Sequence, residues 1–158
     1  NILHETIAPA NIPQDVAKEV ERIAKVIAKA LDLRGVLGIE LFLTKTGSIY
    51  VNELAPRPHN SGHYSIEACS MSQFDAHIRG ICGWPLADAH LLSDAVMVNI
   101  LGEHLAATYQ MIARKPDWKF HYYGKNEAKK GRKMGHITIV TEDVQQTLEE
   151  IEKIKIWD

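Results

Sequence analysis

Basic surplus, cysteine and long apolar runs are all scarce in this chain, and each scarcity excludes something. Lys and Arg total 18 against 20 Asp and Glu, a formal charge of -2. A general nucleic-acid binder carries a basic excess, so that class is set aside. No apolar run approaches the roughly 20 residues of a membrane helix, which argues against a membrane protein. Nothing has the secretory layout of basic start, apolar stretch and small-residue cleavage site. Two cysteines, Cys69 and Cys82, are too few for a disulfide scaffold and lack C-x-x-C spacing. They read as two buried, reduced thiols of a cytoplasmic protein. H-E-x-x-H, G-x-S-x-G and the phosphate-cradling G-x-x-x-x-G-K-[ST] are absent.

What is present is ordinary globular composition, 46% hydrophobic and 24% charged over 158 residues. That length holds one domain, or a domain with a small companion. The chain starts abruptly, on Asn1 rather than methionine, with a helix pattern under way by Pro13. The expectation is a piece of something longer.

Pro13 to Leu31 reads as an amphipathic helix, with Val16, Val20, Ile23, Ala24, Ile27, Ala30 and Leu31 on one face. Two strand-like runs follow, Gly35–Thr44 and Ser48–Leu54, around a Thr46-Gly47 turn. The segment 55–62 breaks regular structure with two prolines. A short helix near Tyr64–Ala68 comes next, then one from Ser72, where Ser72 and Asp75 resemble a capping box. Phe74, Ile78 and Ile81 supply its buried face, and Gly83 with Pro85 stops it. A linker over Ala87–Ser93 leads to a second unit. That unit reads strand 95–101, helix 104–113, strand 119–123, loop 124–135, strand 136–141 and helix 144–154.

Glu40 is the one charge in an otherwise apolar strand, and Glu53 is its counterpart in the next. A two-residue or four-residue loop puts them opposite each other, whereas an odd loop without a compensating bulge puts them on opposite faces. Two facing carboxylates repel unless something positive lies between them. Magnesium is the natural candidate, since it favours one or two carboxylates with phosphate oxygens and water. Asn52 adds a neutral oxygen or a hydrogen bond. The competing reading is two exposed acids on a solvated face, or acids paired with Lys or Arg.

The loop A-P-R-P-H-N-S-G-H (55–63) follows Glu53 directly. Its prolines stiffen the backbone that carries Arg57, His59 and Asn60, and Arg57 offers a planar fork for carboxylate or phosphate. His59 and His63, four apart, do not read as a zinc site, because Pro58 and Gly62 oppose a helix carrying both. His63 and His77 read as satisfied, partly buried histidines. Further on, Lys125, Lys129, Lys130, Arg132 and Lys133 make a basic loop with Gly124, Gly131 and Gly135, glycines that let N–H groups turn toward an anion. A solvated basic loop is the alternative. Nucleic-acid binding is disfavoured, because no aromatic residue is interleaved for stacking.

Taken together, G-V-L-G-I-E-L-F (35–42), V-N-E-L-A-P-R-P-H-N-S-G-H-Y (51–64), S-Q-F-D-A-H-I-R (72–79) and G-R-K-M-G-H (131–136) resemble one family. It is the 5-(carboxyamino)imidazole ribonucleotide synthases, the ATPase subunit of phosphoribosylaminoimidazole carboxylase in purine biosynthesis. The resemblance is to their carboxy-terminal portion and covers nearly the whole chain. It implies an α+β fold: residues 1–90 as the carboxy-terminal part of an ATP-grasp domain, and residues 91–158 as a small β-rich domain.

The resemblance also implies an enzyme that phosphorylates bicarbonate with ATP. The resulting carboxyphosphate carboxylates the amine of aminoimidazole ribonucleotide. Glu40 and Glu53 would hold magnesium, with Asn52 and Glu53 at the nucleotide. Arg57, His59 and Asn60 would contact bicarbonate or the phosphoryl group. Lys125, Arg132 and, more weakly, Lys133 would hold the substrate phosphate. A homodimer is implied for the full-length protein.

Two departures stand out. The amino-terminal domain and the first ATP-grasp subdomain are missing, so this chain alone is expected to be inactive. Lys130 stands where the family commonly has proline. The alternatives are a formate-dependent glycinamide ribonucleotide transformylase, which has a similar P-R-P-H stretch, and a non-catalytic phosphate- or nucleotide-binding module.

Overall fold

The computed structural model describes residues 2–157. Helices and antiparallel strands mix in an α+β arrangement that divides into two units. Among the described residues, no helix is long and apolar enough to cross a membrane.

The first unit comprises residues 10–66 and 71–90. Helix α1, Gln14–Ala30, occupies the span its periodicity predicts. Its first turn carries Asp15 and its last Lys29, both matched to the helix dipole. The i, i+4 pair Glu21–Lys25 and the i, i+3 pair Glu19–Arg22 line its solvent side. Strands β2, Gly38–Leu43, and β3, Ile49–Ala55, form a hairpin. A single 3-10 turn, Asn60–Gly62, interrupts the loop that follows, and a short helix α2, Ser65–Ala68, begins just after it.

Helix α3, Gln73–Cys82, starts where expected. Ser72 Oγ accepts the Asp75 N–H and donates to the Asp75 carboxylate at 2.6 Å. Its expected buried face is a correction: Phe74, Ile78 and Ile81 are 39%, 49% and 53% exposed. The helix packs instead through its small side, where His77 Nδ1 accepts the Val36 N–H at 3.2 Å. The cysteines are a second correction. Both are free, but Cys82 is exposed and Cys69 only half-buried, its thiol pKa pushed up by that burial.

The second unit comprises residues 2–9, 67–70 and 91–157. Four strands build one antiparallel sheet in the order β1-β4-β6-β5. They are β1 Glu5–Ala8, β4 Asp94–Leu101, β5 Lys119–Tyr122 and β6 Lys133–Thr141. Helix α4, Leu105–Met111, follows a 3-10 turn at Gly102–His104, and helix α5, Val144–Ile154, is capped by the Asp143 carboxylate on the Gln146 N–H.

Val96, Val98 and Ile100 alternate along β4 and meet Trp118, Ile137, Ile139 and Ile151 in a closed core. Each such side chain buried is worth about 1.5–3 kcal/mol. The division expected between residues 90 and 91 therefore differs from the packing at its start. Residues 2–9 join the carboxy-terminal sheet because β1 pairs with β4, Glu5 opposite Val98 and Ala8 opposite Ala95. Residues 67–70 join it too, with the Leu92 N–H on the Ala68 carbonyl.

Candidate functional site

In the hairpin of the first unit, Glu40 lies directly across from Glu53. Directly opposed residues share a face of the ladder. The route to this pairing differs from either expected loop. Thr44 pairs with Ser48 through a 2.9 Å backbone bond, which leaves a three-residue loop, Lys45-Thr46-Gly47. Gly47 closes it at φ +82°, the left-handed conformation such loops require. The odd loop alone would set Glu40 against Asn52. A bulge between Leu41–Val51 and Glu40–Glu53 leaves Asn52 as the extra residue and restores the carboxylate pair.

Asn52 is not idle at the bulge, for its Nδ2 donates to Glu40 Oε2 at 3.1 Å. The other oxygen, Glu40 Oε1, lies 3.6 Å from His59 Nε2. The His59 ring is largely buried, and its Nδ1 lies 2.9 Å from Ser61 Oγ. Thus Glu40, Asn52, Glu53 and His59 share one end of the hairpin. Arg57 differs, since it folds its guanidinium back to donate to the Pro58 carbonyl at 3.1 Å. Asn60 opens the 3-10 turn.

Gln73 is the residue that sequence reasoning passed over. Its Oε1 accepts the His59 N–H at 2.8 Å, and its Nε2 donates to the His59 carbonyl at 2.8 Å. The same Nε2 donates to His63 Nδ1 at 2.7 Å. Its backbone N–H reaches Ser65 Oγ, which in turn donates to the Gly62 carbonyl. One amide thereby clamps the middle and the far end of the proline loop. The only signal was its position directly after the Ser72 cap, a place that reads as helix start rather than site.

The donor set suits a hard divalent cation: two facing carboxylates, with room in such a shell for phosphate oxygens and water. Among the described residues, no group of three His, Cys, Asp or Glu side chains gathers as a metal site. The hairpin would therefore supply two oxygen ligands, and a bound cation would need the remainder from a ligand and solvent.

The basic residues belong to the second unit. Lys125 Nζ donates to the Lys133 carbonyl at 2.6 Å and sits 5.4 Å above the Tyr123 ring. Arg132 donates to the Glu127 carbonyl at 3.2 Å. Lys133, expected in the loop, opens β6. The Gly131 N–H, expected to be available to an anion, is already held by a carboxylate, that of Glu103 at 2.8 Å. Across β5 and β6, His121 stacks on His136 at 4.5 Å between ring centroids and meets Glu67 Oε1 at 2.7 Å.

Residues 1–74 match the ATP-grasp domain, and residues 95–150 match the phosphoribosylaminoimidazole carboxylase C-terminal domain. The chain is 45% identical over 153 residues to the N5-carboxyaminoimidazole ribonucleotide synthase of Staphylococcus saprophyticus, covering 96% of this chain and 41% of that protein. Its structure superposes on an N5-carboxyaminoimidazole ribonucleotide synthetase in complex with ADP at TM-score 0.96 and 49% identity, covering 100% of this chain and 42% of that one. An Aspergillus clavatus synthase in complex with ADP and 5-aminoimidazole ribonucleotide gives TM-score 0.89 and 35% identity, covering 98% and 43%. The chain thus spans about two fifths of the length of the relatives it matches.

Proposed function

We propose a function from one premise: the chain belongs to the ATP-grasp family of N5-carboxyaminoimidazole ribonucleotide synthases, as the carboxy-terminal part. The whole protein carboxylates 5-aminoimidazole ribonucleotide with ATP and bicarbonate. A bicarbonate oxygen attacks the γ-phosphorus of ATP, ADP leaves, and carboxyphosphate forms. The substrate amine then attacks its carbonyl carbon, releasing phosphate and leaving the carbamate on nitrogen.

Phosphoryl transfer asks a protein mainly for positioning and charge neutralisation. Glu40 and Glu53 would hold magnesium, which when bound neutralises the ATP phosphates. Asn52 holds one oxygen of the Glu40 carboxylate through its 3.1 Å bond and stands at the nucleotide with Glu53. Arg57, His59 and Asn60 contact bicarbonate or the phosphoryl group, from a loop that Gln73 holds at His59. Arg57 needs only a rotation away from the Pro58 carbonyl to offer its fork to an anion. Lys125, Arg132 and Lys133 bind the ribonucleotide phosphate. A cytoplasmic location, and a homodimer of the full-length protein as the family resemblance implies, complete the proposal.

The observation that carries this reading is the Glu40–Glu53 pairing, re-created by a bulge at the foot of the proline loop. Without a cation such a pair is repulsive, and a fold does not build it idly. In a full-length polypeptide carrying this chain, Glu53→Gln is expected to lower substrate-dependent ADP release by about 100-fold or more, the scale of losing one preorganised electrostatic stabiliser. No ATP turnover by the unsubstituted full-length polypeptide, with ligand affinity through the basic loop kept in both Glu40→Gln and Glu53→Gln, would instead identify a non-catalytic module. His63 after Asn60-Ser61-Gly62, and the G-R-K-M-G-H run, favour bicarbonate over formate. ATP turnover supported by formate alone would reverse that choice.

A further inference from the structure

We infer that Glu103, with Gly102 before it, is a positioning residue that fixes the basic loop for the phosphate of the ribonucleotide substrate. This rests on the reading of that loop given above and deepens it. The anchor is built where β4 ends at Leu101 and the chain turns through Gly102–His104.

Two contacts tie the loop down and a third closes its turn, all within residues 129–132. The Gly131 N–H donates to Glu103 Oε2 at 2.8 Å. The Gly102 N–H donates to the Arg132 carbonyl at 2.9 Å, and the Arg132 N–H closes the turn on the Lys129 carbonyl at 3.0 Å. A Cβ on Gly102 would lie 2.2 Å from the Lys129 carbonyl oxygen, so only glycine lets the two backbones approach. Arg132, whose guanidinium is assigned to the phosphate, springs from the tied turn. Lys125 spans the loop to the Lys133 carbonyl.

The sign of the charge is what marks Glu103 as more than surface decoration. A carboxylate beside an anion-binding loop weakens the attraction the loop exists to provide. Its presence there is explained by geometry, because hydrogen bonds to a charged acceptor are the stronger kind. The Glu103 carboxyl is held below the usual carboxylate range by backbone N–H groups, its own and that of Gly131, with His104 and Lys130 adding to this. A carboxyl held below its ordinary range is ionised at neutral pH, so the anchor is charged there.

The test is steady-state kinetics of a full-length polypeptide carrying this chain, with thermal melting measured on each variant. Glu103→Ala is expected to raise KM for aminoimidazole ribonucleotide about fivefold while leaving KM for ATP and kcat within about twofold. Glu103→Gln, whose amide oxygen still accepts the Gly131 N–H, recovers most of that loss. Glu103→Ala added to Arg132→Ala produces little further change, because both act through the same guanidinium. If Arg132→Ala raises this KM and Glu103→Ala leaves it unchanged or lowers it, the positioning role is wrong while the phosphate loop stands. If Arg132→Ala itself leaves KM unchanged, the phosphate reading fails first. A parallel fall in kcat, melting temperature and both affinities for Glu103→Ala makes the residue merely structural and overturns the inference.

Discussion

Gln73 shows how one side chain does work that two separate residues could not. Its amide reads both the N–H and the carbonyl of His59 and still reaches His63, so acceptor and donors act from one rigid plane. Glutamate keeps the acceptor but loses both donations, and leucine loses everything. Gln73→Leu leaves the half-buried His59 N–H and carbonyl unpaired, at about 1–3 kcal/mol for such groups. The expected result is a roughly tenfold or greater fall in kcat of the full-length enzyme, with Gln73→Glu intermediate, read as ADP release at saturating substrates.

His104 gives a residue-scale prediction for stability. It is buried at the end of β4, and its Nδ1 accepts the Leu101 N–H at 3.3 Å. Burial lowers its pKa, the neighbouring Glu103 opposes that, and His4 adds to it. The folded chain therefore refuses a proton that the unfolded chain takes up below about pH 6.5. Stability from the neutral ring is complete above that pH and is lost as pH falls toward the depressed folded value. Urea midpoints of this chain should decline on acidification from pH 7 to 5, and His104→Gln should flatten the slope. An equal decline in the variant would remove His104 as the cause.

At the scale of elements, the hairpin is the informative piece. A three-residue loop and a bulge each shift the register by one, and together they cancel. The carboxylate pairing thus depends on two local features acting together rather than on a regular ladder. Inserting one alanine between Asn52 and Glu53 should turn Glu53 to the opposite face. We expect that insertion to abolish ATP turnover of a full-length polypeptide carrying this chain as fully as Glu53→Gln, while far-ultraviolet circular dichroism stays native. Helix α3 teaches the converse lesson. Its period was legible, but its outward stripe at Phe74, Ile78 and Ile81 was not, because periodicity reports an apolar face without saying which neighbour covers it.

For the whole molecule, the chain carries the hairpin acids, the proline loop and the basic loop, yet spans about two fifths of its relatives' length. The resemblance assigns the amino-terminal domain and the first ATP-grasp subdomain to the remainder of that length. This chain by itself should therefore release no ADP in response to aminoimidazole ribonucleotide and bicarbonate. A coupled ADP assay reading above background would overturn the division of labour drawn here.

Helix α1, the hairpin strands, the capped start of α3, and β4 with α5 followed from local patterns, because hydrophobic period, caps and turn residues act within a few residues of sequence. The candidate residues were visible as letters too, two strand acids, a stiffened cationic loop and a glycine-rich basic loop, but a bulge outside the sequence pattern decided that the acids face each other. Tertiary structure alone decided the rest. Strand β1 is four residues long and owes its existence to β4, some ninety positions away. Gln73 reaches His59 across fourteen residues, and Glu103 reaches Gly131 across twenty-eight. Those bonds form only after the chain has folded back on itself, and a linear pattern carries no record of which distant backbone group will arrive.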